Sequence, residues 1–188
     1  MNQSKSPNES SLSAPSEWVT NFAPRIEAGA LVLDLACGSG RHTAYFRSRG
    51  HPVTAIDRDI SRLDAFKNES RSNDPEVKAI EADLETDAGL PKFPDKFGGI
   101  IVTNYLHRPL FPAIIEALAP NGVLIYETFA VGNEAYGKPR NSDHLLQPNE
   151  LLNLCSKCLS VVAYKHGFVD RPRESVLQRI CAINISTD

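Results

Sequence analysis

From Leu31 onward, short apolar runs alternate with stretches of helical periodicity, and this alternation constrains the fold more than any other feature. Leu31–Leu35 reads as a short buried strand, followed by a glycine-containing turn and a helix from Arg41 to Arg49 that Gly50 stops. Pro52–Ile56 is a second strand, after which Asp59 can cap a helix with Ile60, Leu63 and Phe66 on its apolar face. Val77–Ile80 gives a third strand, and Gly99–Thr103 a fourth, apolar throughout as a central parallel strand is. Pro109 suits the first turn of a helix carrying Ile114, Ile115 and Leu118, which Pro120-Asn121-Gly122 ends. Val123–Tyr126 is the fifth strand, and Pro148 opens a helix through Leu151, Leu152 and Leu154. Two strands, near Val161–Tyr164 and Val176–Ile183, close the chain. Such β-α repetition predicts an α/β fold with a largely parallel sheet covered by helices on both faces.

The length, 188 residues, fits one domain. Residues 1–17, rich in Ser, Asn and Pro without apolar periodicity, read as a disordered tail, and residues 18–188 as the domain. The 20 basic and 23 acidic side chains leave a formal charge of −3, which argues against a nonspecific nucleic-acid coat. No apolar run reaches the roughly 18–20 residues of a membrane span, and the N-terminus is too polar for a signal peptide, so no membrane partner and a cytoplasmic location are expected. The four cysteines then read as reduced thiols. Cys155 and Cys158 fall on an amphipathic helix and are expected in the core; no second pair at metal spacing accompanies them, so no metal is expected.

In open parallel sheets ligands bind beyond the carboxyl ends of the strands. Strand one runs into Asp34-Leu35-Ala36-Cys37-Gly38-Ser39-Gly40-Arg41, where Gly38 and Gly40 allow a tight turn and close approach of a ligand. Position 43 is Thr, so the third glycine of a dinucleotide fingerprint is missing, which disfavours a nicotinamide dehydrogenase. Asp34 would repel a pyrophosphate and attract an ammonium group. Asp57 ends strand two, 17 positions after Gly40, where a carboxylate can accept both hydroxyls of a ribose. Asp83 ends strand three beside Leu84 and could accept an adenine amine. Three acids at three successive strand ends exceed what loop capping alone requires.

These residues resemble the class I S-adenosylmethionine-dependent methyltransferases. Asp34-Leu35-Ala36-Cys37-Gly38-Ser39-Gly40 looks like their first motif, Asp57 like their ribose acid, and Glu81-Ala82-Asp83-Leu84 like their adenine motif. Ala119-Pro120-Asn121-Gly122-Val123-Leu124 is similar to their turn into strand five. The run from Leu33 to His42 looks most like the small tellurite-resistance type. The resemblance spans Trp18 to Ile185 and implies a Rossmann-like seven-stranded sheet of order 3-2-1-4-5-7-6 with the last strand antiparallel. It implies S-adenosyl-L-methionine as cofactor, held by Asp34, Ala36, Gly38, Gly40, Arg41, Asp57, Arg58, Asp83, Leu84 and Asn104. Arg41, unfavourable at a helix N-terminus, makes sense beside the cofactor's carboxylate.

The acceptor side follows strands four and five. Thr103-Asn104-Tyr105-Leu106-His107 supplies two catalytic candidates, His107 as general base and Tyr105. Its departure from (Asp/Asn)-Pro-Pro-(Tyr/Phe) lowers the case for methylation of exocyclic amines of nucleobases or of glutamine. Glu127 ends strand five, and the irregular stretch from Ala130 to Gln147 could form a lid with Tyr136 and Arg140 facing an acceptor. The expected function is methyl transfer to a small-molecule acceptor. Methylation of RNA or protein and a noncatalytic cofactor-binding module remain as alternatives, and oligomeric state is not readable.

Overall fold

The computed structural model describes residues 12–63, 66 and 74–185. Strands β1 (Val32–Leu35), β2 (Val53–Asp57), β3 (Val77–Glu81), β4 (Phe97–Thr103), β5 (Leu118–Phe129), β6 (Ser160–Val169) and β7 (Ser175–Ile183) form one sheet in the order β3-β2-β1-β4-β5-β7-β6. β1 to β5 pair in parallel, and β7 runs antiparallel to both of its neighbours. This is the α/β topology expected from the resemblance.

Helices α1 (Glu17–Phe22), α2 (Arg41–Ser48), α3 (Phe111–Ala117) and α4 (Glu150–Cys155) pack on the two faces. Successive residues of a strand point to opposite faces, so β4 divides its apolar side chains between two cores. Ile101 packs with Val19 and Ala23 near α1, Phe46 of α2, Ile125 and Cys181. Ile100 and Val102 pack with Phe111 and Ile114 of α3, Leu151 and Cys155 of α4, Leu124 and Tyr126. A strand buried on both sides shows no polar alternation, which is why β4 is apolar throughout.

Some boundaries differ from expectation. α3 stops at Ala117 and Leu118 already belongs to β5. Pro120-Asn121-Gly122 lies within a bulged stretch where the β4–β5 register moves from Phe97↔Leu118 to Gly99↔Val123. A Cβ at Gly122 would meet the carbonyl oxygens of Phe97 and Ala119, each at 2.8 Å, so this bulge requires glycine. Asp59 Oδ1 accepts the Ser61 N–H at 3.0 Å and starts a 3-10 turn, Ser61–Leu63. The rest of the helix expected there, apart from Phe66, lies outside the described residues, as do residues 1–11 of the tail.

Two expectations are corrected. Residues 12–17 are not a free tail: Ser16 caps α1, its hydroxyl accepting the N–H groups of Trp18 (3.1 Å) and Val19 (3.5 Å). Cys158 is exposed rather than in the core, because α4 ends at Cys155 and the chain turns before reaching it. Among the described residues, no helix is long and apolar enough to cross a membrane.

Candidate active site

The carboxyl ends of β1 to β4 border a crevice of about 570 Å³. Its floor is the loop leaving β1, where Ala36, Gly38 and Gly40 all take positive φ, at 53°, 58° and 78°. A Cβ at Gly38 would meet nothing within 4 Å, so this face of the loop is open to a ligand. At Gly40, which begins α2, a Cβ would lie 2.5 Å from Leu63 Cδ2 and 2.8 Å from the Phe66 ring. The first glycine leaves room for a guest and the second lets the loop sit on its own core.

Asp57 joins the ends of β1 and β2. Its Oδ2 accepts the Gly38 N–H at 2.8 Å and its Oδ1 accepts the Asp59 N–H at 3.2 Å. Each carboxylate oxygen keeps a further acceptor site, enough for a diol. Asp83 is steadied in the same way, Oδ1 accepting the Glu85 N–H at 2.9 Å, with the buried Leu84 as apolar wall beside it. Arg58, Thr103, Asn104 and Tyr105 complete the border. Asn104 has φ 56° and donates its N–H to the Glu127 carbonyl at 2.8 Å, which turns the chain away at the end of β4. The Tyr105 hydroxyl is buried without a hydrogen-bond partner. Burial, with the Glu85, Asp83 and Asp57 carboxylates, raises its pKa, so it is a neutral phenol and not a base.

These groups suit S-adenosylmethionine: acceptors for a diol and an amine, an apolar wall, and a backbone face with no Cβ. Bound there, the cofactor would supply a methyl group on a sulfonium, open to in-line displacement. The chain's part would be to hold that sulfonium in place, orient it and keep water away.

Of the expected cofactor residues, Ala36, Gly38, Arg41, Asp57, Arg58, Asp83, Leu84 and Asn104 border the crevice, and Asp34 and Gly40 do not. Strand alternation turns Asp34 toward α2, where it is 2% exposed and accepts the Thr43 hydroxyl at 2.7 Å. Burial pushes its carboxyl up to about 6 against the opposing effects of Thr43 and Arg41. Asp34 therefore braces the first turn of α2 from behind instead of meeting an ammonium group. Arg41 borders the crevice and donates from Nη1 to the Ala14 carbonyl at 3.3 Å.

The acceptor candidates, apart from Tyr105, are not gathered there. His107 precedes a 3-10 turn, Arg108–Leu110, without a capping side-chain bond, and lies outside the crevice lining. Tyr136 leans on Phe168 with ring centroids 5.1 Å apart, and Arg140 is exposed. Their loop is no lid over the crevice: Ala130 bridges to Leu146, Leu145 and Leu146 are buried, and Arg108 ties the loop down. Arg108 bonds both oxygens of Glu150 (2.6 and 2.9 Å) and the carbonyls of Asp143 (2.7 Å) and Leu145 (3.0 Å). Glu127 is 7% exposed, with Arg179 Nη1 4.0 Å away; burial raises its pKa while Ser16 and Arg179 restrain it.

Sequence reasoning missed Ser13, which borders the crevice, and the buried His42, which ties the segment carrying Ser13 to α2. A Ser/Pro-rich stretch carries no periodicity, and the partners of His42 are 26 and 61 positions away, so nothing local signalled either.

Residues 32–122 match a family described as a methyltransferase domain. A trans-aconitate 2-methyltransferase from Escherichia coli is 27% identical over 159 residues, covering 77% of this chain and 50% of that protein. The chain thus spans half the length of that relative. The fold resembles TehB from Haemophilus influenzae, with a TM-score of 0.71, 18% identity, and 89% of this chain and 61% of that one covered. It also resembles a 1,6-didemethyltoxoflavin-N1-methyltransferase from Burkholderia thailandensis solved with S-adenosylhomocysteine, at TM-score 0.67, 19% identity, and 90% and 77% coverage. Motif order, sheet order and these matches agree: residues 32–122 are similar to a methyltransferase domain, and the fold is that of the solved S-adenosylmethionine-dependent methyltransferases.

Proposed function

We propose that this protein transfers the methyl group of S-adenosylmethionine to a small-molecule acceptor. The observation that carries the reading is the convergence of the Asp57 and Asp83 carboxylates and the open face of Gly38 on one crevice, which Ser13 also borders. Asp57 takes the ribose, Asp83 and Leu84 the adenine, and Arg41 the methionine carboxylate. The segment carrying Ser13 at the crevice border favours a small acceptor, since an RNA strand or a protein loop would have to pass it. Relatives whose names carry small acceptors, trans-aconitate and didemethyltoxoflavin, support the same class. With the crevice bordered by a neutral phenol and with His107 outside its lining, alignment and exclusion of water supply the acceleration rather than a strong base.

Calorimetry with S-adenosylmethionine, S-adenosylhomocysteine and NAD, followed by transfer of labelled methyl to small acids, amines, thiols and RNA, tests this. Binding of both sulfur ligands and a labelled small product are expected. Binding of NAD alone would overturn the cofactor assignment, and label found only in RNA would overturn the acceptor class.

A further inference from the structure

Ser13 borders the crevice, and side chains from the rest of the fold meet the polar groups of the residues that follow it. The Ala14 carbonyl accepts from Arg41, and the Ser16 N–H donates to His42 Nε2 at 3.1 Å. Glu127 lies against the Ser16 side chain. Arg41 and His42 are the first two residues of α2, immediately after Gly38-Ser39-Gly40. The segment that follows Ser13 is therefore tied to the same turn of backbone that forms the crevice floor.

His42 is suited to this. It is 1% exposed, and burial together with the adjacent Arg41 cation lowers its pKa to about 3, so the ring is neutral at physiological pH. Accepting at Nε2 leaves the ring proton on Nδ1, which faces Thr103 Oγ1 at 3.5 Å. Thr103 is the last residue of β4 and borders the crevice. One imidazole thus touches the segment that follows Ser13 and a strand end that borders the crevice, from its own place in the helix after the glycine turn.

We infer that His42 is a positioning residue, one that closes residues 13–16 over bound cofactor by offering Nε2 to the Ser16 N–H. The inference rests on the crevice being the S-adenosylmethionine site. It couples roof to floor: a cofactor that orders the glycine turn also fixes His42 and with it the roof, so binding and closure favour one another. His42 itself need not touch cofactor or acceptor.

The test uses the full chain, S-adenosylhomocysteine as ligand, and Trp18, the single tryptophan, as reporter. Trp18 follows the roof segment by two positions, and its indole N–H donates to the Ile180 carbonyl at 3.1 Å. His42→Gln carries an oxygen near the place of Nε2, whereas His42→Asn carries one near Nδ1 and falls short of Ser16. In the wild type, ligand should change Trp18 emission and slow exchange of the Ser16 amide. His42→Asn should weaken ligand binding about tenfold, the scale of one lost buried hydrogen bond, and abolish the Trp18 response. His42→Gln should restore both.

Equal behaviour of Asn and Gln variants with matched melting temperatures would overturn the inference. So would a Ser16 amide that exchanges freely in liganded wild type, a measurement that needs no variant to fold. A wild type that binds no S-adenosylhomocysteine at all would instead overturn the cofactor reading on which the inference rests.

Discussion

The two halves of the sheet's carboxyl edge are built differently. Beyond β1, β2 and β3, the polar groups are strand-end carboxylates whose partners lie within 19 positions in the chain: Asp57 takes the N–H groups of Gly38 and Asp59, and Asp83 takes that of Glu85. Beyond β4, β5 and β7, the polar groups find partners far away in sequence. Thr103 faces His42, Glu127 faces Arg179, and Arg108 crosses to Glu150. The first half forms a floor set by local turn geometry. The second is a packing solution among separate elements, and side chains such as His107 and Tyr136 that look prominent in the sequence are spent outside the crevice. A fixed ligand is met by a local, repeatable design; the acceptor side is assembled from whatever the surrounding elements bring together.

The largest effect that would break this contrast lies at the turn. Gly40→Val would force a β-branched residue to φ 78° and drive its Cβ into Leu63 and Phe66. Strain and overpacking should each cost about 1–3 kcal/mol, and S-adenosylhomocysteine binding should be lost. Thermal melting and calorimetry check this; a stable variant with normal binding would mean the turn is not the floor. Asp57→Ala comes next. It should weaken binding by roughly 1.5–3 kcal/mol through loss of a charge-assisted acceptor, while the chain stays folded. Unchanged affinity would remove Asp57 from the site.

The same contrast explains what could be read from sequence. Strand order and the Gly38, Asp57 and Asp83 positions were legible because each depends on periodicity or on spacing within one β-α unit. Asp34 was legible as part of the motif but not in its orientation, which the alternation of β1 settles by pointing residue 34 at α2. The loop from Ala130 to Gln147 looked like a lid because it lacks regular pattern; Arg108 and the buried Leu145 and Leu146 make it part of the body instead. The border at Ser13 was invisible, since its ties to Arg41 and His42 exist only once the chain has folded.

Asp34 sharpens the comparison through pH. Its carboxyl titrates near 3.8 when solvated and at about 6 in the fold, so between those values the native state binds more protons than the unfolded chain. Its contribution to stability is present below pH 3.8 and is lost as pH rises through 6. Asp34→Asn keeps an acceptor for the Thr43 hydroxyl and removes the buried charge. At pH 7 it should raise stability by about 1–2 kcal/mol and flatten the stability curve between pH 4 and 6. Urea unfolding across that range is the measurement. A variant less stable than wild type at pH 7 would show that the Asp34 charge is compensated by more than Thr43 and Arg41.

The smallest expected effect belongs to the acceptor half, at His107. A general base must reach the proton it removes, directly or through one water. His107 lies outside the crevice lining and makes no capping bond at the turn it precedes, so a small effect on both rate and stability is expected of its replacement. His107→Gln should therefore change turnover of any acceptor by less than about threefold, against the 10²–10⁴-fold loss that follows removal of a working base. Half-buried and without a side-chain capping bond, His107 should change stability by no more than about 1 kcal/mol when replaced. A hundredfold loss of turnover with cofactor affinity intact would mean that the end of β4 swings inward when the acceptor binds. The two halves would then differ in a second respect: a floor already in its working geometry, and an acceptor side that reaches its own only in the reacting complex.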